Sequence, residues 1–398
     1  MKILQLCNKP PYPPVDGGTL AMNSITQGLL SEGHEVKVLS ICTDKHPVQE
    51  SLITDKYIQQ THFEAVYIDL NPHVLDAFVA WLCGESYNVK RYISKDFSQK
   101  LAQVLNENTF DIVQLEGLFL TPYVELIRAK SDARIILRAH NVENEIWQRM
   151  AKSCKNPIKK GYLKHLALTL RNYEVEHLND YDALACIAPN DAEYFRKAGC
   201  RKPIIDIPFS VTPESLENVS VEENSLFHLG SMDWMPNLES IDWFLEQVWP
   251  ALHKELPQVR LYLAGRKMPK RLMEAEIEGV SIVGEVPDAM YFIASKEINV
   301  VPLLSGSGIR VKIIEAMSAG KTVVTTTIGA QGIDCKDGEH LLIADTPEDF
   351  VRQIRHCVED KAFCRQIGQN ALNLIVERYS TESLTHKLTD FYTKIIES

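Results

Sequence analysis

The chain has 398 residues, 45% of them hydrophobic, 8% aromatic and 24% charged, with a formal net charge of −11. These are globular averages at a length that suits two domains, which excludes a disordered chain, a collagen or a coiled-coil rod. Nearly all of the excess acid follows Pro208, which argues against nucleic acid as a main partner, since phosphate-backbone binding needs a basic face.

In chain order, KILQLC is an apolar run of strand length with its only early charge in front of it. Ending in NKPPYPP, it reads as a first buried strand, not a leader peptide. The turn formers of NKPPYPPVDGG continue neither regular structure. TLAMNSITQGLLSEG then sets Leu20, Ile25, Leu29 and Leu30 near helical spacing and stops at Gly33. EVKVLSI closes a βαβ unit with a glycine pair at its first turn. From Trp147 to Tyr173 there is no acid, against seven Lys and Arg. KPIIDIPFSVTPESLENVSVEEN has no helical period, so a linker is expected at 203–224.

After residue 225 the alternation resumes: LFHLG, a helix with Ile241, Phe244, Leu245, Val248 and Leu252 on one face, then VRLYLAG, SIVG, INVVPL, TVVTT and HLLIA. Strand–helix alternation in both halves predicts two Rossmann-like, doubly wound parallel sheets. The expected domains are 1–202, 225–375, and a C-terminal helix at 376–398 that crosses back to the first. The longest apolar runs are strand-length, and nine cysteines without a CxxC pair point to free thiols in a reducing compartment. A cytoplasmic protein is therefore expected.

The segment SGSGIRVKIIEAMSAGKTVV, 305–324, carries the most chemistry. A strand runs into a loop with Gly306, Ser307 and Gly308, and a helix is expected to begin at once. Glycines let backbone approach a ligand, and a helix N-terminus offers unpaired N–H groups. Arg310 and Lys312 are expected in the first turn, where cations oppose the helix dipole and an anion offsets that cost. Glu315 lies two turns after Gly308 on the same face, placed to accept bonds from a sugar diol. Anion cradle, two cations and diol acceptor fit a nucleoside diphosphate; the plain alternative is a glycine-capped helix with a solvated charged face.

With PPYPPVDGGTLAMNSITQGLLSEGHEVKVLS, LRAHNVENEIW, LGSMDWMPNLESIDWFLEQVWP, VGEVPD and GSGIRVKIIEAMSAGKTVVTT taken together, the chain resembles the retaining glycosyltransferases of the GT-B fold, sequence family 4 (glycosyl transferases group 1). The resemblance covers essentially the whole chain. It implies two Rossmann-like domains facing a cleft, a nucleotide-sugar donor on the C-terminal domain, and an acceptor mainly on the N-terminal one. It assigns Glu315 to the donor ribose, Asp16, Gly17 and Gly18 to the diphosphate and transferred sugar, and His140, at the end of IILRAH, to a position near that sugar. Gly284 and Val286 flank a loop that meets the base, and Gly230 and Ser231 open a loop against the diphosphate.

Two departures stand out. The family's first acid of a glutamate pair falls on Ser307, and the loop MDWMPN lacks the usual arginine and lysine. Arg310 and Lys312 are the natural substitutes. The implied reaction is metal-independent and needs no cofactor, with a UDP- or GDP-linked sugar as co-substrate and a glycan or lipid-linked acceptor. A phosphate oxygen of the leaving group takes the acceptor's proton, and no paired-carboxylate site is required.

Asp180-Tyr181-Asp182 has the form of a metal-binding DxD, but a capping acid before ALACIA explains Asp182, and no second histidine follows His140 at a zinc spacing. Trp81, with Val79, Leu82 and Tyr87, reads as packing or acceptor wall. The basic stretch 147–173, interleaved with Leu163, Leu166, Leu168 and Leu170, is either a solvated helical face or a peripheral contact with anionic lipid at the inner face of the membrane. Two rivals remain: a non-hydrolysing nucleotide-sugar epimerase, and a catalytically silent sugar-nucleotide-binding homologue.

Overall fold

The computed structural model describes residues 1–71, 79–80, 83–154, 156–211, 219–305 and 309–398. They form two compact units, Met1–Pro208 with Leu384–Ser398, and Phe209–Ser383.

The first unit holds β1 (Lys2–Cys7), β2 (Glu35–Cys42), β3 (Glu64–Tyr67), β4 (Ile112–Glu116), β5 (Arg134–Ala139), β6 (Ala183–Cys186) and β7 (Ile204–Asp206). Every pairing is parallel, in the order β3-β2-β1-β4-β5-β6-β7. Parallel neighbours need crossover helices on both faces, so the strands are buried and read as near-continuous apolar runs. β7 lies where a linker was expected: Ile204 and Ile205 extend the sheet beside β6, and the unit runs on to Pro208.

The second unit holds β8 (Ser225–Leu229), β9 (Arg260–Ala264), β10 (Val280–Gly284), β11 (Ile298–Val301), β12 (Thr322–Thr325) and β13 (Leu342–Ile343), again parallel, ordered β10-β9-β8-β11-β12-β13. The helix after β8 is not continuous. It runs as Met235–Trp243, a π turn at Phe244–Val248, and Trp249–Glu255. Pro250 has no N–H to give the turn before it, and the wider turn absorbs the loss. Of the face read from sequence, Ile241, Phe244, Val248 and Leu252 are fully buried and Leu245 packs partly buried against them.

The last helix, Thr381–Glu397, starts in the second unit and ends in the first. Leu384, Leu388, Tyr392 and Ile395 form one apolar stripe against Met22, Ile25 and Leu29 of the helix Gly17–Ser31. The two helices approach so closely that a Cβ on Gly28 would sit 2.0 Å from Thr385 Oγ1. Gly28→Ala is accordingly expected to cost about 1–3 kcal/mol by overpacking. Thr385→Ala in that background should restore part of the loss, as thermal unfolding of the two variants and the pair would show.

Candidate functional site

In each unit the strand order reverses once, between β1 and β4 and between β8 and β11. Ligands of such sheets bind outside the carboxyl ends of the strands at that reversal, because the two loops there leave in opposite directions.

In the second unit those loops are Gly230 onward and the segment after Val301. Gly306, Ser307 and Gly308 lie outside the described residues. The helix begins at Val311 and runs to Ser318, with Arg310 as its extended N-cap at φ −87° and ψ 92°. Arg310 therefore stands ahead of the first turn in which it was expected, and only Lys312 is in it. Arg310 is 4% exposed, with its guanidinium carbon 5.8 Å from the centre of the Trp234 ring, within cation–π range.

Lys312 turns back toward β8. Its ammonium donates to Asn237 Oδ1 at 2.6 Å and lies 3.2 Å from His228 Nε2. His228 is fully buried, with Nδ1 2.9 Å from the Val300 carbonyl. That carbonyl only accepts, so Nδ1 carries the proton and Nε2 offers its lone pair to Lys312. Burial, and then Lys312, hold the His228 pKa well below the ordinary value, against the Val300 bond. Asn237 Nδ2 donates to the Ser231 carbonyl at 2.7 Å, which fixes its amide the right way round.

The ammonium rests on Gly230, where a Cβ would meet Lys312 Nζ at 2.5 Å. The loop that lacks a cation of its own thus receives one from a different element. Burial first, and Arg310 second, push Lys312 down to about 7, with Glu315 opposing. Glu315 is half-buried one turn on, its pKa raised by burial and opposed by Lys312.

Backbone dominates the rest of this edge. Gly265 at φ +143° and Gly284 at φ +72° follow β9 and end β10. A Cβ on Gly265 would fall 1.7 Å from the Gly230 carbonyl oxygen, so only glycine closes this turn. Val286 is half-buried beyond Gly284. Ser231 Oγ donates to Asp233 at 2.6 Å.

In the first unit, Asp16 caps the helix Gly17–Ser31: Oδ1 accepts from Thr19 N at 2.9 Å, and Thr19 Oγ1 accepts from Asp16 N at 2.9 Å. This reciprocal box is joined by Lys9, whose ammonium donates to both Asp16 oxygens at 2.7 Å. Burial acts against the Asp16 charge, but Lys9 and Thr19 hold its pKa down. Asp16 is thus committed to the cap, and Gly17 and Gly18 present the helix's first N–H groups. A Cβ on Gly17 would meet nothing within 4 Å.

His140 is half-buried just past β5. Its Nε2 lies 2.6 Å from Oε2 of Glu116, a wholly buried carboxylate at the end of β4. Lys9 and Glu116 were not singled out from the sequence. For Glu116 a signal existed: Gln114 and Glu116 in DIVQLEG, and Arg138 in IILRAH, are polar at period 2 inside central strands that should be apolar throughout.

Asp182 of the DxD-like run accepts from Ile135 N at 2.7 Å and pairs with Arg128 at 2.8 Å, while Asp180 accepts from His177 at 2.6 Å. In the basic stretch, Leu163, Leu166 and Leu170 are buried. Of the interleaved leucines only Leu168 is exposed, and the apolar surface comes instead from Met150, Ile158 and Tyr162. Trp81 and Leu82 lie outside the described residues. Among the described residues no helix is long and apolar enough to cross a membrane.

Residues 223–360 match the family model of glycosyl transferases group 1. Along 96% of its length the chain is 24% identical to an uncharacterized 44.6 kDa protein in the cps region of Klebsiella pneumoniae, covering 97% of that protein. HepE of Anabaena, solved in complex with UDP, superposes with a TM-score of 0.68 at 15% identity, covering 99% of this chain and 100% of that one. Sucrose-phosphate synthase from Thermosynechococcus elongatus gives 0.69 at 14% identity over the whole of both chains. The architecture is the GT-B fold, and with the group 1 match in its second unit the chain is a glycosyltransferase.

Lys312 couples this site to stability. In the unfolded chain a lysine keeps its proton up to about 10.4, whereas folded Lys312 loses it at about 7. Between those values the unfolded state holds more protons, so stability rises with pH. Lys312→Met should abolish this dependence, so wild type should gain about 1–3 kcal/mol relative to the variant between pH 7 and pH 9 in urea unfolding.

Proposed function

We propose that this chain is a retaining, metal-independent glycosyltransferase of hexosyltransferase type. It moves a sugar from a UDP- or GDP-linked donor to a hydroxyl of a glycan or lipid-linked acceptor, in polysaccharide or glycolipid assembly. The observation that carries this is the ammonium of Lys312 seated over Gly230 at the strand-order reversal of the second sheet, within the electrostatic reach of Arg310. Two cations and a helix N-terminus gathered there meet a leaving diphosphate as it gains charge, the kind of fixed electrostatics that lowers such a barrier.

Glu315 takes the donor ribose, and the backbone at Gly284 and Val286 meets the base. Gly230 and Ser231 approach the diphosphate. In the first unit, Gly17 and Gly18 offer N–H groups, and the His140 ring offers a nitrogen to a sugar hydroxyl. The complexes of HepE with UDP and UDP-glucose and the cps-region relative support a UDP-linked donor and polysaccharide assembly.

A lipid-linked acceptor has support in the helix Pro157–Glu176. Ile158 is 85% exposed and Leu168 53%, among Lys159, Lys164 and Arg171. Lys164, Leu168 and Arg171 share one side of this helix, and that side meets anionic headgroups at about 1 kcal/mol per cation near the surface. The chain should co-sediment with anionic vesicles and much less with neutral ones; equal partitioning removes this contact.

The donor site is tested by calorimetric titration of UDP, GDP and ADP, each with EDTA. One nucleotide should bind, unaffected by EDTA, and Arg310→Ala should weaken it by about 10–100-fold, the worth of a charged hydrogen bond. Because Lys312 titrates at about 7 when free, a bound diphosphate raises it, so binding at pH 8 should take up protons. Buffers of different ionisation enthalpy would measure this. Binding of none of the three sinks the reading, an isomerised donor makes the chain an epimerase, and binding without turnover makes it a silent homologue.

A further inference from the structure

The first sheet buries an ordered polar ladder on the face covered by the Gly17–Ser31 helix and the C-terminal helix. Gln5 on β1, Gln114 and Glu116 on β4, and Arg138 on β5 are all 0% exposed. Register brings them together: Gln5 stands opposite Gln114, and Glu116 opposite Arg138. Such burial of a carboxylate is costly unless every lone pair is engaged.

Hydrogen bonds engage both Glu116 oxygens, and an ion pair faces one of them. Oε1 accepts from Gln5 Nε2 at 2.7 Å and from Gln114 Nε2. Oε2 lies 3.8 Å from the Arg138 guanidinium and 2.6 Å from His140 Nε2. Burial works against its charge, but Arg138 and the His140 bond hold the carboxyl below its ordinary value. An ionised carboxylate only accepts, so the proton in the bond to His140 resides on Nε2. Among the described residues, the other ring nitrogen, Nδ1, makes no hydrogen bond.

We infer that Glu116 is a positioning residue for glycosyl transfer: it fixes the Nε2–H form of His140, so that Nδ1 is the atom presented to a sugar hydroxyl. This rests on the proposed function for the role of His140, but the tautomer itself does not. The amides around the carboxylate are held in one orientation. Gln5 Nε2 also donates to the Met22 carbonyl at 3.3 Å, so a flipped Gln5 would set its oxygen against both that carbonyl and the Glu116 carboxylate. Gln114 Oε1 accepts from Tyr392 of the C-terminal helix, which pins the second amide.

With two N–H donors fixed on the Oε1 side, Glu116→Gln must place its amide oxygen there. Its NH2 then faces His140 Nε2 and donates to it. The substitution, isosteric and neutral, thereby drives the proton onto Nδ1 and leaves the wrong tautomer toward the substrate. The same substitution logic at a serine-protease aspartate drops kcat by about 10⁴ with the geometry intact.

The test is nitrogen-15 NMR of histidine-labelled full-length protein, with His140 assigned by the loss of its signal in His140→Gln. With the ring neutral, wild-type His140 should show a protonated Nε2 and an unprotonated Nδ1, and Glu116→Gln should reverse them. In transfer assays Glu116→Gln should lower kcat by about 100-fold or more with donor KM changed little, and add little to His140→Gln. A wild-type proton on Nδ1 overturns the inference with no variant required, which covers the case of a variant that fails to fold. An unchanged kcat in a variant with the reversed tautomer overturns the positioning role. Absence of nucleotide binding and transfer in wild type overturns the proposed function, while the NMR result still stands for the dyad.

Discussion

Both units obey one constraint: a parallel sheet buried on two faces reverses its strand order at one place, and only there do adjacent loops part to leave room for a ligand. Two groups of buried charge stand at those reversals. The Asp16 capping box, Lys9 and the Glu116–His140 pair stand at the carboxyl ends of β1, β4 and β5. Lys312, His228, Asn237 and Gly230 stand at β8 and β11. Charge is buried at these two places at the expense of stability, which is the pattern of a site and not of a core.

The second site also shows how a missing pair of residues is made good by geometry. The loop at 232–237 has no cation, yet the Asn237 amide oxygen and the His228 lone pair hold one that arrives from the helix across the reversal. Holding it costs desolvation, visible in a lysine brought down to about 7. Both of these acceptors are neutral groups, and the carboxylate that favours the ammonium, Glu315, acts through space from further along the same helix. An anion arriving there would bring negative charge to an ammonium whose hydrogen bonds all go to neutral groups.

Much of this was legible in advance because it depends on local pattern. Continuous apolar runs gave the strands, and the glycine pair at 17 and 18 marked the turn after the first, whereas Gly230 and Gly284 came from the resemblance. What was not legible depends on register and side-chain direction. That Arg310 would cap its helix and Lys312 alone enter it follows from where the helix starts, within a residue or two of any sequence expectation. That Glu116 would meet His140 follows from the pairing of β4 with β5, two strands 18 residues apart in sequence from Glu116 to Arg134. The three buried leucines at 163, 166 and 170 face inward because the helix Pro157–Glu176 turns them there, a choice that composition alone leaves open.

The C-terminal helix ties these observations to one another within the first unit. Its apolar stripe alone would account for its docking, as Leu384, Leu388 and Ile395 fill the face over β1 and β4. Tyr392 lies in that stripe fully buried, and its hydroxyl reaches Gln114, whose amide in turn holds Glu116. A phenylalanine would fill the same volume, so packing does not account for the hydroxyl. A buried phenol needs a partner, and here the partner is the amide that orients the carboxylate beneath His140. The last turns of the chain thus complete a polar network that begins on its first strand.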